Sequence, residues 1–136
     1  MRLSIKAIYG LQALFELAQN YGSGGIKIGD IARTQKIPVR FLEQILLSLK
    51  KKGILESTRG VKGGYSLARP PREITLLEAI QTLEGPLVFT AMKKSLDIYQ
   101  TLNKIKETVE SGFKETTLED LIYLKQQKDS SFNFTI

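Results

Sequence analysis

The sequence predicts a mainly α-helical fold with a small β wing: a winged helix-turn-helix domain followed by a C-terminal dimerisation helix. Three features of residues 33–67 predict this fold. They are a helix that begins near Pro38, two short strand-like segments after it, and a glycine-rich basic loop between those segments. Proline is favoured in the first turn of a helix, where its missing N–H costs little. A helix followed by a basic wing makes double-stranded DNA the leading partner.

The helix after Pro38 has one apolar stripe, because four apolar side chains recur at three- and four-residue spacing: Leu42, Ile45, Leu46 and Leu49. Lysines at 50–52 occupy the last turn, where positive charge favours the helix dipole. Gly53 supplies a left-handed cap. This pattern predicts a helix that packs by one face and leaves the other free.

The two segments after Gly53 predict a β-hairpin. Residues 54–57 and 65–67 are strand-like and face each other across the loop 59–64. That loop, RGVKGG, joins glycine flexibility to the cations Arg59 and Lys62, which is typical of a hairpin tip that touches phosphate or a minor groove. We therefore expect both cations to contact DNA.

Charge is divided unevenly along the 136 residues. Residues 1–72 hold 13 Lys and Arg against 4 Asp and Glu, whereas residues 73–136 hold 7 against 10. A basic half joined to a mildly acidic half indicates a nucleic-acid surface beside a region that does not touch it. Basic surfaces also serve solubility, so the charge is informative only together with the helix and wing.

The chain contains no cysteine and no histidine. This excludes disulfides, thiol chemistry, the usual nitrogen and sulfur ligands of zinc, iron and copper, and the commonest general base. We therefore expect a protein that is not an enzyme and that has no cofactor. No run of about 18 apolar residues is present for a membrane span. The first residues predict a helix start and no signal peptide, so we expect a cytoplasmic protein.

The N-terminal region completes a tri-helical unit. A first helix is predicted over about residues 4–21, with Ser4 as its cap and an apolar face of Ala7, Ile8, Leu11, Leu14, Phe15, Ala18 and Tyr21. The recognition helix follows after four short segments: a turn at 20–25, an extended piece at 26–28, a brief helix to Arg33 and a turn at 34–36. The segment Arg69-Pro70-Pro71-Arg72 reads as a rigid linker, which bounds a DNA-binding domain at residues 1–72.

Residues 73–127 predict a helical dimerisation region, followed by a flexible tail at 128–136. A capping box at 75–78 starts a helix that ends at Gly85-Pro86, and a second box at 116–121 opens a short last helix to about Gln126. Between them four apolar residues spaced four, three and four apart suit a coiled-coil seam: Ile98, Leu102, Ile105 and Val109. We favour a homodimer through this seam, because such readers normally address two half-sites. The alternative is a helix that folds back on the N-terminal domain.

Several of these motifs resemble a known family, the bacterial winged-helix regulators of the IscR/CymR type. The shared segments are Phe41-Leu42-Glu43-Gln44, Gly53-Ile54-Leu55, Arg59-Gly60, Gly63-Gly64-Tyr65 and Ile74-Thr75. The resemblance covers nearly the whole chain and is strongest to the CymR branch at residues 83–86 and 116–121. Cluster-binding members carry three cysteines in the stretch that corresponds to residues 87–94, which has none here. The resemblance therefore implies a cluster-free member.

Helix geometry selects the candidate DNA contacts. Arg40, Glu43 and Gln44 lie opposite the apolar stripe, where they can address guanine, the cytosine amino group and adenine respectively. An ion pair of Glu43 with Arg40 or Lys50 is the alternative for that carboxylate. Phosphate contacts are expected from Arg2, Lys6, Lys50 and Lys51, for each of which plain surface solvation is the alternative. Pro38, Arg40 and the apolar Leu47 on the same outward face depart from the usual recognition helix of the family.

The C-terminal residues Phe134, Thr135 and Ile136 resemble the terminal peptides by which serine acetyltransferases bind cysteine synthase. An active site that holds the carboxylate of an amino acid can also hold that of a peptide. The resemblance to the CymR branch implies a repressor of cysteine metabolism, and the resemblance of the tail implies that it acts in a complex with cysteine synthase. The alternatives are an ordinary disordered tail, a regulator that senses a small molecule near residues 80–92, and a winged-helix adaptor that does not bind DNA.

Overall fold

The computed structural model describes residues 2–89 and 97–134, with side chains to Ser131. The elements are α1 (Ile5–Gln19), α2 (Ile28–Gln35), α3 (Val39–Lys51), β1 (Leu55–Thr58), β2 (Gly64–Leu67), a 3-10 turn (Pro71–Glu73), α4 (Leu76–Glu84), α5 (Asp97–Glu115) and α6 (Leu118–Phe134). The predicted fold class, helices with one small β wing, is confirmed. No helix within the described ranges has the length and apolar character needed to cross a bilayer.

A single hydrophobic core joins the three N-terminal helices to α4 and the start of α6. Its largest fully buried side chains are Leu14, Leu17, Ile31, Leu42, Ile45, Leu46, Leu49, Ile54, Ile74 and Leu118. The core therefore continues past residue 72, where the sequence predicts a domain boundary. Arg69 in that linker forms an ion pair with Glu78 of α4, and its guanidinium donates to the carbonyl of Glu73 at 3.1 Å. These bonds fix the linker against α4.

Helix α1 begins as predicted, but its buried face is different. The Ser4 hydroxyl accepts a hydrogen bond from the Ala7 N–H at 3.2 Å, which caps the helix. The buried residues are Ala7, Gly10, Ala13, Leu14, Leu17 and Ala18, whereas Ile8 and Tyr21 of the predicted face are exposed. The predicted face is confirmed at Ala7, Leu14 and Ala18 and wrong at Ile8 and Tyr21, because α1 packs against α2, α3, α4 and α6 at once. A Cβ at Gly10 would lie only 2.1 Å from Cδ1 of Leu83, so glycine allows α4 to approach there.

Helix α3 agrees with its prediction in both its stripe and its ends. Leu42, Ile45, Leu46 and Leu49 are its buried residues, and Pro38 stands at its N-cap. Gly53 follows the helix with φ of +76°, the left-handed conformation expected of its cap. Helix α2 begins at Ile28 and runs through Gln35, so it starts earlier and ends later than predicted. Ile37 then donates its N–H to the Ala32 carbonyl at 2.9 Å, which holds the turn between the two helices.

The wing is an antiparallel pair tied to the rest of the domain. Its register pairs Leu55 with Leu67 and Thr58 with Gly64. Ile26 and Tyr65 exchange two backbone hydrogen bonds of 2.8 Å each, which join β2 to the segment before α2. A Cβ on Gly64 would lie 2.5 Å from the carbonyl carbon and oxygen of Ile26, and Gly64 has φ of +137°. Only glycine permits this close backbone approach.

The C-terminal helices confirm the second predicted capping box in full, whereas at the first only the Thr75 cap forms, because the Glu78 carboxylate pairs with Arg69. Thr75 accepts from the Glu78 N–H at 3.1 Å, and Thr117 and Asp120 exchange side-chain-to-backbone bonds of 2.8 and 3.2 Å. Helix α6, however, continues to Phe134, whereas the sequence predicts an end near Gln126 and a flexible tail from 128. Residues 127–134 contain neither glycine nor proline, so no residue in that stretch stops the helix.

Candidate nucleic-acid interface

Helix α3 and the wing present the predicted DNA contacts to solvent. All nine side chains are exposed: Arg2, Lys6, Arg40, Glu43, Gln44, Lys50, Lys51, Arg59 and Lys62. Seven of these nine belong to α3 or to the loop between the strands of the wing. Because α3 buries its opposite face in the core, its outward face is held in a fixed orientation.

The outward face of α3 is a row of side chains spaced four, three and four apart: Arg40, Gln44, Leu47 and Lys51. The Arg40 guanidinium lies over the ring of Phe41, 4.9 Å from its centre. Such a cation–π contact favours one position of the guanidinium without removing its charge. The row therefore offers a cation at each end, with an amide and an apolar side chain between them.

Glu43 stands beside this row and forms no ion pair with any residue that the structure describes. The alternative of an ion pair with Arg40 or Lys50 is therefore not seen. Lys50 donates instead to the Ser57 hydroxyl at 2.6 Å, which joins the end of α3 to β1. The Glu43 carboxylate is thus available to accept a hydrogen bond from outside the chain.

At the tip of the wing, Arg59 and Lys62 are exposed on either side of Val61. Lys27, which the sequence did not single out, donates to the Gly60 carbonyl at 3.3 Å and adds a third cation at this tip. This contact joins residues 33 positions apart, so no local pattern could have indicated it.

Arg2 and Lys6 are exposed at the start of α1, and no hydrogen bond or ion pair joins them to α3 or the wing among residues 2–89 and 97–134. Arg2 lies instead at the mouth of a cavity of about 430 Å³ beside α4 and α5. Leu77, Ile80, Val88 and Phe113 line this cavity. The cavity coincides with part of the region, residues 80–92, that the sequence predicts for small-molecule sensing. Met92 of that region lies outside the described residues.

Helix α5 exposes the predicted dimerisation seam. None of its side chains is fully buried, and Ile98 and Ile105 are 60% and 50% exposed, while Leu102 and Val109 are half-buried. The helix joins the core at its C-terminal end, where the Leu76 N–H donates to the Thr116 carbonyl at 2.9 Å. Of the predicted tail contacts, the Phe134 side chain, Thr135 and Ile136 lie outside the described residues.

Comparison with known proteins decides the family. A family model described as Rrf2, iron-dependent transcriptional regulator, matches residues 3–123. The chain belongs to the Rrf2 family. CymR of Bacillus subtilis, an HTH-type transcriptional regulator, is 33% identical over the full length of both chains. These relatives are transcriptional regulators and not enzymes, as the sequence predicts.

Solved structures support the same assignment of the chain to the Rrf2 family. The structure of CymR, the global cysteine regulator of B. subtilis, has a TM-score of 0.81 and 33% identity, covering 89% of this chain and 95% of that one. The IscR of T. potens also has a TM-score of 0.81 and 33% identity, with 94% and 90% covered. The predicted resemblance to the IscR/CymR type is confirmed.

The iron in the description of the Rrf2 family does not fit the residues of this member. Iron–sulfur clusters are held by cysteine thiolates, with histidine in some cases, and this sequence has neither residue. Within the described ranges, no three Asp or Glu side chains converge in a group that could hold a metal ion. The residues therefore do not match a cluster-binding site.

Proposed function

We propose that this Rrf2 protein is a repressor that binds double-stranded DNA, with α3 in the major groove and the wing on the adjacent backbone or minor groove. The single observation that carries the proposal is the outward face of α3, which is exposed, cationic at both ends, and set on a rigid core beside a basic wing tip. In this docking Arg40, Glu43 and Gln44 address base edges. Lys50, Lys51, Arg59 and Lys62 bind phosphate or the minor groove. Arg2 and Lys6 add phosphate contacts at the start of α1.

Selection of bound fragments from the genomic DNA of the source organism tests this proposal. We expect a recovered inverted repeat, bound with an affinity that falls steeply as salt rises, because each phosphate contact releases counterions. Arg59→Ala should weaken binding and make the salt dependence shallower, while Lys128→Ala, which removes an exposed lysine of α6, should leave both unchanged. An adaptor that does not bind DNA would recover no enriched sequence at any salt.

The inverted repeat follows from a second part of the proposal, a homodimer through α5. A helix of 19 residues is about 28 Å long, and in this chain it leaves an apolar seam uncovered. A second copy offers the matching seam, since a twofold axis places like patches against each other. Two recognition helices would then contact half-sites separated by one helical turn of DNA or a multiple of it.

We further propose that residues 130–136 bind cysteine synthase, so that DNA binding follows the sulfur status of the cell. Support comes from the resemblance of Phe134-Thr135-Ile136 to enzyme-binding peptides and from the similarity to a global cysteine regulator. Because α6 runs to Phe134, the peptide would have to leave the helical conformation in order to enter an active site. The enzyme's substrate, O-acetylserine, would compete with it by mass action.

A synthetic SSFNFTI peptide tests the cysteine synthase complex. We expect micromolar binding to the cysteine synthase of the source organism, lost on deletion of Ile136 and displaced by O-acetylserine. Equal weak binding of both peptides would contradict the proposal and leave the DNA-binding proposal standing.

The cavity beside α4 favours a second candidate, a regulator whose effector is a small apolar molecule. Its volume of about 430 Å³ lies within the range of ligand pockets, and its lining is mostly apolar. Ile80→Phe would fill part of this space. If an effector binds there, this variant should bind the operator normally but no longer respond to metabolite extracts that release the wild-type protein.

A further inference from the structure

Leu47 occupies the middle of the surface that the proposed function sets against DNA. Its side chain is 48% exposed, one helical turn beyond Gln44 and one turn before Lys51. It takes no part in the core, which α3 reaches through the opposite face. A single exposed leucine needs no explanation on an ordinary surface. Here Leu47 lies between charged and polar side chains, which suit a phosphate or a base edge better than a leucine does.

The position of Leu47 along α3 sets what it can reach. Three residues of helix advance about 4.5 Å, which is close to the 3.4 Å rise of one base-pair step. If Gln44 addresses one base pair, Leu47 therefore reaches the next base pair along the groove. Phosphates line the edges of that groove and attract the cations Arg40 and Lys51, whereas a leucine gains nothing from them.

The major groove offers one apolar feature, the 5-methyl group of thymine. We infer that Leu47 packs on a thymine methyl group beside the base pair that faces Gln44, and so selects an A·T pair at that position. This inference rests on the proposed DNA binding and adds a residue that reads sequence by burial and not by a hydrogen bond. Phe41 is less suited to this role, because its ring already lies against the Arg40 guanidinium.

Replacing each operator thymine in turn by uracil tests the inference, since uracil keeps every hydrogen-bonding group and lacks only the methyl group. Wild-type protein should lose about fourfold in affinity at one position in each half-site, the effect of burying one methyl group. Leu47→Ala should bind the thymine and uracil forms of that position equally. Replacing that A·T pair by a G·C pair whose cytosine carries a 5-methyl group should weaken wild-type binding less than an unmethylated G·C pair does.

A matched control separates this contact from a general effect of shortening a leucine. Leu124 on α6 is 58% exposed and lies outside the proposed interface, so Leu124→Ala should keep the full uracil effect. The role of Leu47 would be overturned if uracil lowered the affinity of the wild type at no position, or if it lowered the affinity of Leu47→Ala as much as that of the wild type. Either result would leave the DNA-binding proposal standing. A wild-type protein that selects no operator would overturn the DNA-binding proposal itself.

Discussion

At the scale of single residues, Glu43 is the side chain whose role is least obvious, because a carboxylate facing DNA is repelled by phosphate. Its cost is offset only if it accepts a hydrogen bond, and the cytosine amino group is the donor available in the major groove. No cation within the described residues neutralises it. Glu43 is therefore a candidate for specificity and not for affinity.

Glu43→Gln should raise the affinity for unrelated DNA and lower the preference for one C·G pair by about 1–3 kcal/mol. The reason is that the substitution removes one repelled charge and replaces one of the two carboxylate acceptor oxygens by an amide NH2 donor, which weakens the preference for the cytosine amino group. Titration of the operator and of a scrambled duplex at one salt concentration measures both effects. Glu107→Gln makes the same charge change on α5 and should alter neither. A variant with tighter binding but unchanged preference would show that Glu43 does not read a base.

At the scale of elements, sequence patterns predicted correctly those features of the helices and strands that depend on interactions between neighbouring residues. The stripe and ends of α3 and the caps at Thr75 and Thr117 each depend on residues within four positions of one another or on a single glycine, and the hairpin pairs residues no farther apart than Leu55 and Leu67. The predicted buried face of α1 was wrong at Ile8 and Tyr21 because several elements, α2, α3, α4 and α6, pack around that helix. The predicted end of α6 was wrong because no glycine or proline stops the helix there. The contact of Lys27 with Gly60 depends on the fold and has no sequence signal.

The attachment of the wing to the segment before α2 depends on a close approach of backbones at Gly64. Gly64→Ala would place a Cβ 2.5 Å from the Ile26 carbonyl, at φ of +137°. We expect a loss of about 1–3 kcal/mol in the free energy of unfolding, together with weaker DNA binding, because β2 must separate from Ile26. Thermal melts and operator titrations measure the two effects.

Gly29→Ala is the matched control for the wing, because a Cβ there meets no other atom within 4 Å. It should leave DNA binding unchanged and stabilise α2 slightly, since alanine favours a helix more than glycine does. If Gly64→Ala melts and binds like the wild type, the wing does not need its attachment at Ile26.

At the scale of the whole molecule, the residues that the structure describes leave the basic face of α3 with the wing uncovered, and likewise the apolar seam of α5. Ile105→Asp tests the second. Because Ile105 is half exposed in the single chain, the carboxylate should cost the monomer little. In a dimer it would be an unpaired charge buried at the seam. The dimer dissociation constant should then rise by at least about 100-fold, as expected for a penalty of 3 kcal/mol or more.

Sedimentation should show Ile105→Asp as a folded monomer whose helical content and melting are close to those of the dissociated wild type. Its affinity for the inverted repeat should fall to that for a single half-site, since the two recognition helices are no longer joined. Asn103→Asp adds the same charge at an exposed position off the seam and should remain dimeric. A fully dimeric Ile105→Asp would move the interface away from this seam. The cavity mouth beside Arg2 and Phe113 would then be the next surface to test for the second copy.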